Sequence, residues 1–219
     1  MPSSRILTLV TLTAIALLAT GCVSVRPGPA SSSPVDSEPS ESAPADDALG
    51  IPDEFTFEAG DGLSPDVRVE WGDTLFAKDG FTLSHPDDGN GSWGYTEDAT
   101  QCTVLFWQGS FTGAESATND RELSDAVLAT WLHASAEDVT SYAEDGVVGY
   151  QVGGTGSADV RVIAGTTAAG EATISAARGV LAIDGGFIVD VSCPAGQDAG
   201  AAYAALAAED LVLVVGPAY

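Results

Sequence analysis

Apolar side chains recur at every second position in short runs: Phe55 and Phe57, then Val67, Val69 and Trp71, then Phe81 and Leu83. A period of two marks a strand with one buried face, so each run predicts a strand. The stretch His85-Pro86-Asp87-Asp88-Gly89-Asn90-Gly91 is dense in turn-forming residues. Beyond it, the aromatic segment Trp93 to Tyr95 leads on to Cys102 to Trp107, a run apolar enough to be a central strand. Then the period changes. Leu123, Ala126, Val127, Thr130, Trp131 and Ala134 recur at three and four, and Asn119 followed by Glu122 has capping-box spacing. Together these predict an amphipathic helix of about four turns.

Strand candidates return at Val147 to Val152, Val160 to Ala164, Ala172 to Ile183 and Phe187 to Cys193. Turns fall at Gly153-Gly154, Thr167 to Gly170 and Asp184-Gly185-Gly186. Such close spacing implies antiparallel hairpins. Asp198 can cap a last, alanine-rich helix with Tyr203 and Leu206 facing the core, ahead of the apolar end Leu211 to Val215. The order strands, helix, meander, helix predicts the α+β class, a twisted antiparallel β-sheet packed with two main helices. The opening Gly80-Phe81-Thr82-Leu83-Ser84-His85-Pro86, the central helix, and the strand Phe187 to Cys193 leading into a terminal helix make this layout similar to the Mog1/PsbP-type α/β/α sandwiches of small actinobacterial lipoproteins. The resemblance is topological and implies a fold, not an activity.

This single domain occupies residues 54–219, and the chain before it is of another kind. From Val23 to Asp53 there are seven serines, six prolines and six acids with almost no large apolar side chains. Such a segment cannot bury enough surface to offset ordering entropy, so residues 22–53 predict a disordered tether. Its reach as a flexible coil would be ~30 Å. Ahead of it, Arg5 and the apolar run Ile6 to Leu18 have the form of a signal-peptide core over residues 1–21. The run is shorter than the ~20 residues a membrane span requires. The segment Leu18-Ala19-Thr20-Gly21-Cys22 resembles the lipobox of bacterial lipoproteins, although Ala19 stands where leucine is commonest. The resemblance implies cleavage before Cys22, lipid on its thiol, and an extracytoplasmic domain anchored to the cell membrane.

With Cys22 assigned to lipid, Cys102 and Cys193 remain as an even pair in an oxidising compartment, and a disulfide between them is expected. Neither lies in a C-x-x-C spacing or beside a base, so the bond would be structural. Charge excludes one class of partner. Without Arg5 the chain has six basic against 32 acidic residues, a formal net of −26. Nucleic acid needs Lys and Arg to displace its counterions, so it is not an expected partner.

Catalytic chemistry finds no motif. The two histidines, His85 and His133, have no zinc spacing. Asn90-Gly91-Ser92-Trp93-Gly94 lacks the upstream glycine of a nucleophile elbow. Gly153-Gly154-Thr155-Gly156 is followed by no lysine and reads as a hairpin turn. Asp87, Asp88 and Asn90 offer hard oxygen ligands without the spacing or closing glutamate of a calcium loop. No catalytic residue, metal ligand or cofactor is therefore expected. What stands out is aromatic density: because side chains alternate on a strand, Phe106 and Trp107 must point to opposite faces. A helix over Trp107 would make it packing; left open beside Trp93 and Tyr95, it would give a surface for a glycan or small apolar ligand. The expected function is a non-enzymatic binding or scaffolding lipoprotein, tied to the membrane by its lipid, with an envelope protein, glycan or small apolar ligand as partner. The alternatives are a cell-wall hydrolase and a carrier of an apolar ligand.

Overall fold

In a computed structural model, which describes residues 49–151 and 154–218, the alternating runs form one nine-stranded sheet and the longer periods form helices on its two faces. The expected signal peptide, the expected lipidation site Cys22, most of the expected tether and Gly153 of one expected turn lie outside the described residues. The strands are β1 (Val67–Trp71), β2 (Phe81–His85), β3 (Ser92–Glu97), β4 (Thr103–Ser110), β5 (Glu144–Tyr150), β6 (Gly156–Thr166), β7 (Ala172–Val180), β8 (Gly185–Cys193) and β9 (Val212–Pro217). Their order across the sheet is β1-β9-β5-β6-β7-β8-β4-β3-β2. The helices are α1 (Phe57–Gly60), α2 (Asp120–Leu132), α3 (Ala136–Tyr142) and α4 (Ala199–Glu209). The class is α+β with most of the structure in the sheet.

Three expectations need correction. The strand expected at Phe55 and Phe57 is a single bridge from Phe55 to Ala158, because the Thr56 side chain accepts a hydrogen bond from Ala59 N–H and starts the short α1 instead. A further helix, α3, follows α2 directly, started by Ser135 accepting from Asp138 N–H. Nor is the sheet wholly antiparallel: α4 carries the chain across, so that β9 runs parallel to β5 while pairing antiparallel with β1.

The sheet curls. Edge strand β1 comes back over β4, where Trp71 N–H donates to Gln108 Oε1 at 2.8 Å and the Trp71 ring meets Phe106 edge-on at 5.9 Å. The concave face holds the main core, including Phe106, Val189, Val191 and Leu213, with Ala199 and Leu206 of α4 packed into it. On the convex face, Leu123, Val127 and Leu128 of α2 and Val139 of α3 cover Ala177 and Ile188. Cys102 and Cys193 form a disulfide across the ends of the paired strands β4 and β8, their Cα atoms 4.2 Å apart.

One fork in the sheet sets the rest. β6 pairs with β7 from Arg161 to Thr166 only; toward its start the place of β7 is taken by Phe55, whose N–H donates to Ser157 O at 2.9 Å. Arg178 of β7 fills the fork, fully buried, with Nη1 donating to Phe55 O and Asp159 O and Nη2 to Thr56 O and Asp120 Oδ2. The rings of Phe55 and Phe57 stand 4.2 and 4.7 Å from its guanidinium carbon. Burial is the largest influence on both charges, pushing the Asp120 carboxyl up and the Arg178 guanidinium down, and their mutual attraction opposes each shift. The second Asp120 oxygen accepts from Leu181 N–H, so helix α2 is pinned at its first turn. Gly60 must lack a side chain here, since a Cβ would lie 1.8 Å from Asp120 Oδ2. Midway along, Arg161 holds α2 again through Asp125 at 2.6 Å and ties in Asp145 and the Ala143 carbonyl.

Removing one partner of a buried pair leaves the other charge uncompensated, at a cost of about 3–5 kcal/mol. Asp120→Ala should lower the urea-unfolding free energy by about that much, and the double variant Asp120→Leu, Arg178→Met should recover little of the loss, because it also leaves the carbonyls of Phe55, Thr56 and Asp159 without donors. A single-variant loss below about 1 kcal/mol would show that the pair is not what holds the fork.

Candidate functional site

Strand β4 displays two rows of side chains. Phe106 faces the concave core, and Trp107 faces the convex side, opposite Ile188 in the β4–β8 register. Register also decides the fate of the expected aromatic surface. Trp93 pairs with Phe106 and Tyr95 with Val104, so both project into the concave core, away from Trp107. Trp93 stacks on Phe106 at 5.3 Å and 11°, and the Tyr95 hydroxyl donates to Asp73 at 2.7 Å, with burial raising its pKa. The surface expected from Trp93, Tyr95 and Trp107 together is therefore corrected. Only Trp107 of the three stays partly open, because Ser92 and not Trp93 lies opposite it.

Trp107 instead forms a groove with residues that α2 brings over the sheet. Trp107, Phe111, Trp131, Val127 and Ile188 make its apolar walls, and Ser110, Thr112, Thr130 and His133 make a polar rim. The space is about 530 Å³ and open to solvent. Two glycines seat the indole. A Cβ at Gly109 would stand 3.3 Å from Trp107 Cζ2, and one at Gly186, its cross-strand partner, 3.0 Å from Cζ3. The six-membered ring thus packs against bare backbone, which restricts the side chain where it lines the groove.

Helix α2 and its C-cap supply Val127, Thr130, Trp131 and His133 to the groove. Asn119 starts the helix by accepting from Glu122 N–H, as the spacing predicts, but the Glu122 carboxylate returns to Thr118 instead of to Asn119. At the other end the chain reverses through paired bonds, His133 N–H to Thr130 O and Ala134 N–H to Ala129 O. This arrangement puts His133 in the left-handed region, at φ 52°, a position glycine usually fills. His133 therefore leaves the helix axis and joins the groove rim.

On the same face of the sheet as Ile188, the Ser175 hydroxyl donates to the Asp190 carboxylate of β8. Burial is the largest influence on Asp190 and pushes its pKa up, against hydrogen bonding to Ser175. This polar pair carries no signal in the sequence, since it depends on the pairing of β7 with β8.

Elsewhere, His85 is exposed on edge strand β2. Asp87 accepts from the amides of Gly89 and Gly91, and Asn90 from Ser92 N–H, so these side chains shape their own turn. Ser92 is buried and donates to Phe106 O. Among the described residues no three His, Cys, Asp or Glu side chains gather to hold a metal ion. The chain matches no protein-family model, and comparison with curated proteins and with solved structures finds no significant similarity.

A carboxyl whose pKa is raised on folding binds its proton more tightly in the folded state, so its contribution to stability is complete below about pH 4, the unfolded value, and is lost as pH rises through the raised one. Asp190→Asn keeps an acceptor for Ser175 and removes the titration. It should therefore gain stability relative to the wild type as pH is raised from about 3 to 7, followed by urea unfolding at each pH. A constant difference across that range would show that Asp190 titrates normally.

Proposed function

We propose that this protein is a lipid-anchored, extracytoplasmic binding lipoprotein whose ligand site is the groove at Trp107. The observation that carries the reading is that groove: two tryptophans and a phenylalanine around an open space, rimmed by hydroxyls and an imidazole. Ligand sites are mostly apolar concavities with a few placed polar groups. The anchor rests on the lipobox-like Leu18 to Cys22 and on the Ser/Pro/acidic segment after it, which gives the domain room to stand off the membrane. The layering, with α2 and α3 on one face of the sheet and α4 on the other, supports grouping the domain with Mog1/PsbP-type sandwiches. Its cations support the exclusion of polyanions. Arg68, Lys78, Arg121, Arg161 and Arg178 are each paired with acids of the same domain, so the basic groups a phosphate backbone would need are already engaged.

Both halves of the reading are testable in the full chain. Cys22→Ala should abolish metabolic lipid labelling and release the protein into the soluble fraction; retained label and membrane association would remove the anchor. Envelope fractions that raise the thermal midpoint of the wild type should no longer do so with Trp107→Ala, because a ligand stabilises only a protein that binds it. An equal shift in both proteins would place the site elsewhere.

A further inference from the structure

Resting on the groove as the ligand site, we propose that its occupant is an uncharged carbohydrate, with a sugar ring stacked on Trp107 and its hydroxyls met by the rim that ends in His133.

Three observations converge on this class. The first is electrostatic: a chain with 32 acids places none among the residues that line this groove. A cationic ligand would find its complement almost anywhere else on the surface, and an anionic one would be repelled by the field of the whole domain. The second is the platform. Gly109 and Gly186 bring bare backbone against the six-membered ring of Trp107, so the side chain is restricted before any ligand arrives and little of its freedom is lost on binding. A flat, preset π-face suits the C–H face of a pyranose ring, whereas an acyl chain is better served by an enclosed apolar tunnel. The third is the rim. Ser110, Thr112 and Thr130 offer hydroxyls that both donate and accept, which is what neutral sugar hydroxyls require and an alkyl chain cannot use.

His133 gives the inference its sharpest form. Its backbone occupies a left-handed position where glycine would be free of strain, and its side chain lines the groove. A residue held there against backbone preference is a ligand contact in this reading, and the strain is the cost of placing an imidazole at the rim. Stability and binding should then respond in opposite directions to its replacement by glycine.

The test uses the full-length lipidated protein in detergent. The probes are neutral tetrasaccharides of glucose, galactose and mannose, with muramyl dipeptide as the anionic probe and palmitate as the apolar one. Tryptophan fluorescence and calorimetry report binding. At least one neutral tetrasaccharide should bind and perturb the fluorescence. Trp107→Ala should weaken that binding at least tenfold, and Gly109→Ala, which keeps the indole but lifts it from its seat, should weaken it several-fold. His133→Gly should raise Tm by about 2–4 °C and still weaken sugar binding at least fivefold. A Tm gain with unchanged affinity would overturn the role of His133. Binding of palmitate alone, lost in Trp107→Ala, would overturn the sugar while keeping the groove as the ligand site, and binding of muramyl dipeptide alone, lost in the same variant, would overturn the uncharged class. Failure of every probe to bind would overturn both.

Discussion

Arg178 is fully shielded from solvent, and a guanidinium cannot shed its charge to escape that position. Its surroundings therefore have to be built for it. Three backbone carbonyls and one carboxylate converge on its nitrogens, and two phenylalanine rings pack against it. Those partners come from three pieces of chain: Phe55 to Phe57 at the entry to α1, Asp159 of strand β6 and Asp120 at the start of α2. Satisfying one cation thus fixes the relative placement of three elements that have no sequence proximity. The fork between β6 and β7 makes this necessary, because carbonyls at a splayed sheet edge would otherwise be buried without donors. Gly60 follows from the same constraint, since the carboxylate occupies the space its side chain would need.

The consequence reaches the groove through the rigidity of α2. The helix is pinned at its first turn by Asp120 and near its middle by Asp125, and its thirteen residues then project it ~20 Å along the convex face. Where it stops is set by the reversal at His133, and His133 joins Val127, Thr130 and Trp131 of the helix in lining the groove.

Local signals were legible and long-range ones were not. The strand Val67–Trp71, the cap at Asn119, the cap at Asp198 and the disulfide between Cys102 and Cys193 all follow from patterns within a few residues or from counting cysteines. The parallel pairing of β9 with β5 is invisible in periodicity, because a strand's neighbour depends on the path of α4 and not on its own side chains. The same limit explains the aromatic surface. That Phe106 and Trp107 part company is dictated by strand geometry, but which of them Trp93 accompanies depends on a register that a one-residue slip would reverse. Arg178 and Arg161 read in the sequence as two of a few cations on an acidic chain, with nothing to distinguish a core residue from a surface one.

That scarcity of cations shapes what the domain can recognise. An excess of acids destabilises a compact state through self-repulsion, and here two of the five basic residues of the domain are spent inside it, where they join elements by pairing with the equally buried Asp120 and Asp125 and leave the surface with the full net negative charge. Lys78, Arg68 and Arg121 face neighbouring carboxylates on the outside. Recognition by charge is then available only toward cations, and a groove lined without carboxylates forgoes even that. What remains at the groove is shape, a π-face and hydroxyl hydrogen bonding. These interactions are insensitive to salt compared with exposed ion pairs, so a site built from them keeps its affinity in an envelope whose ionic strength follows the surroundings, which is where the lipid anchor would hold it.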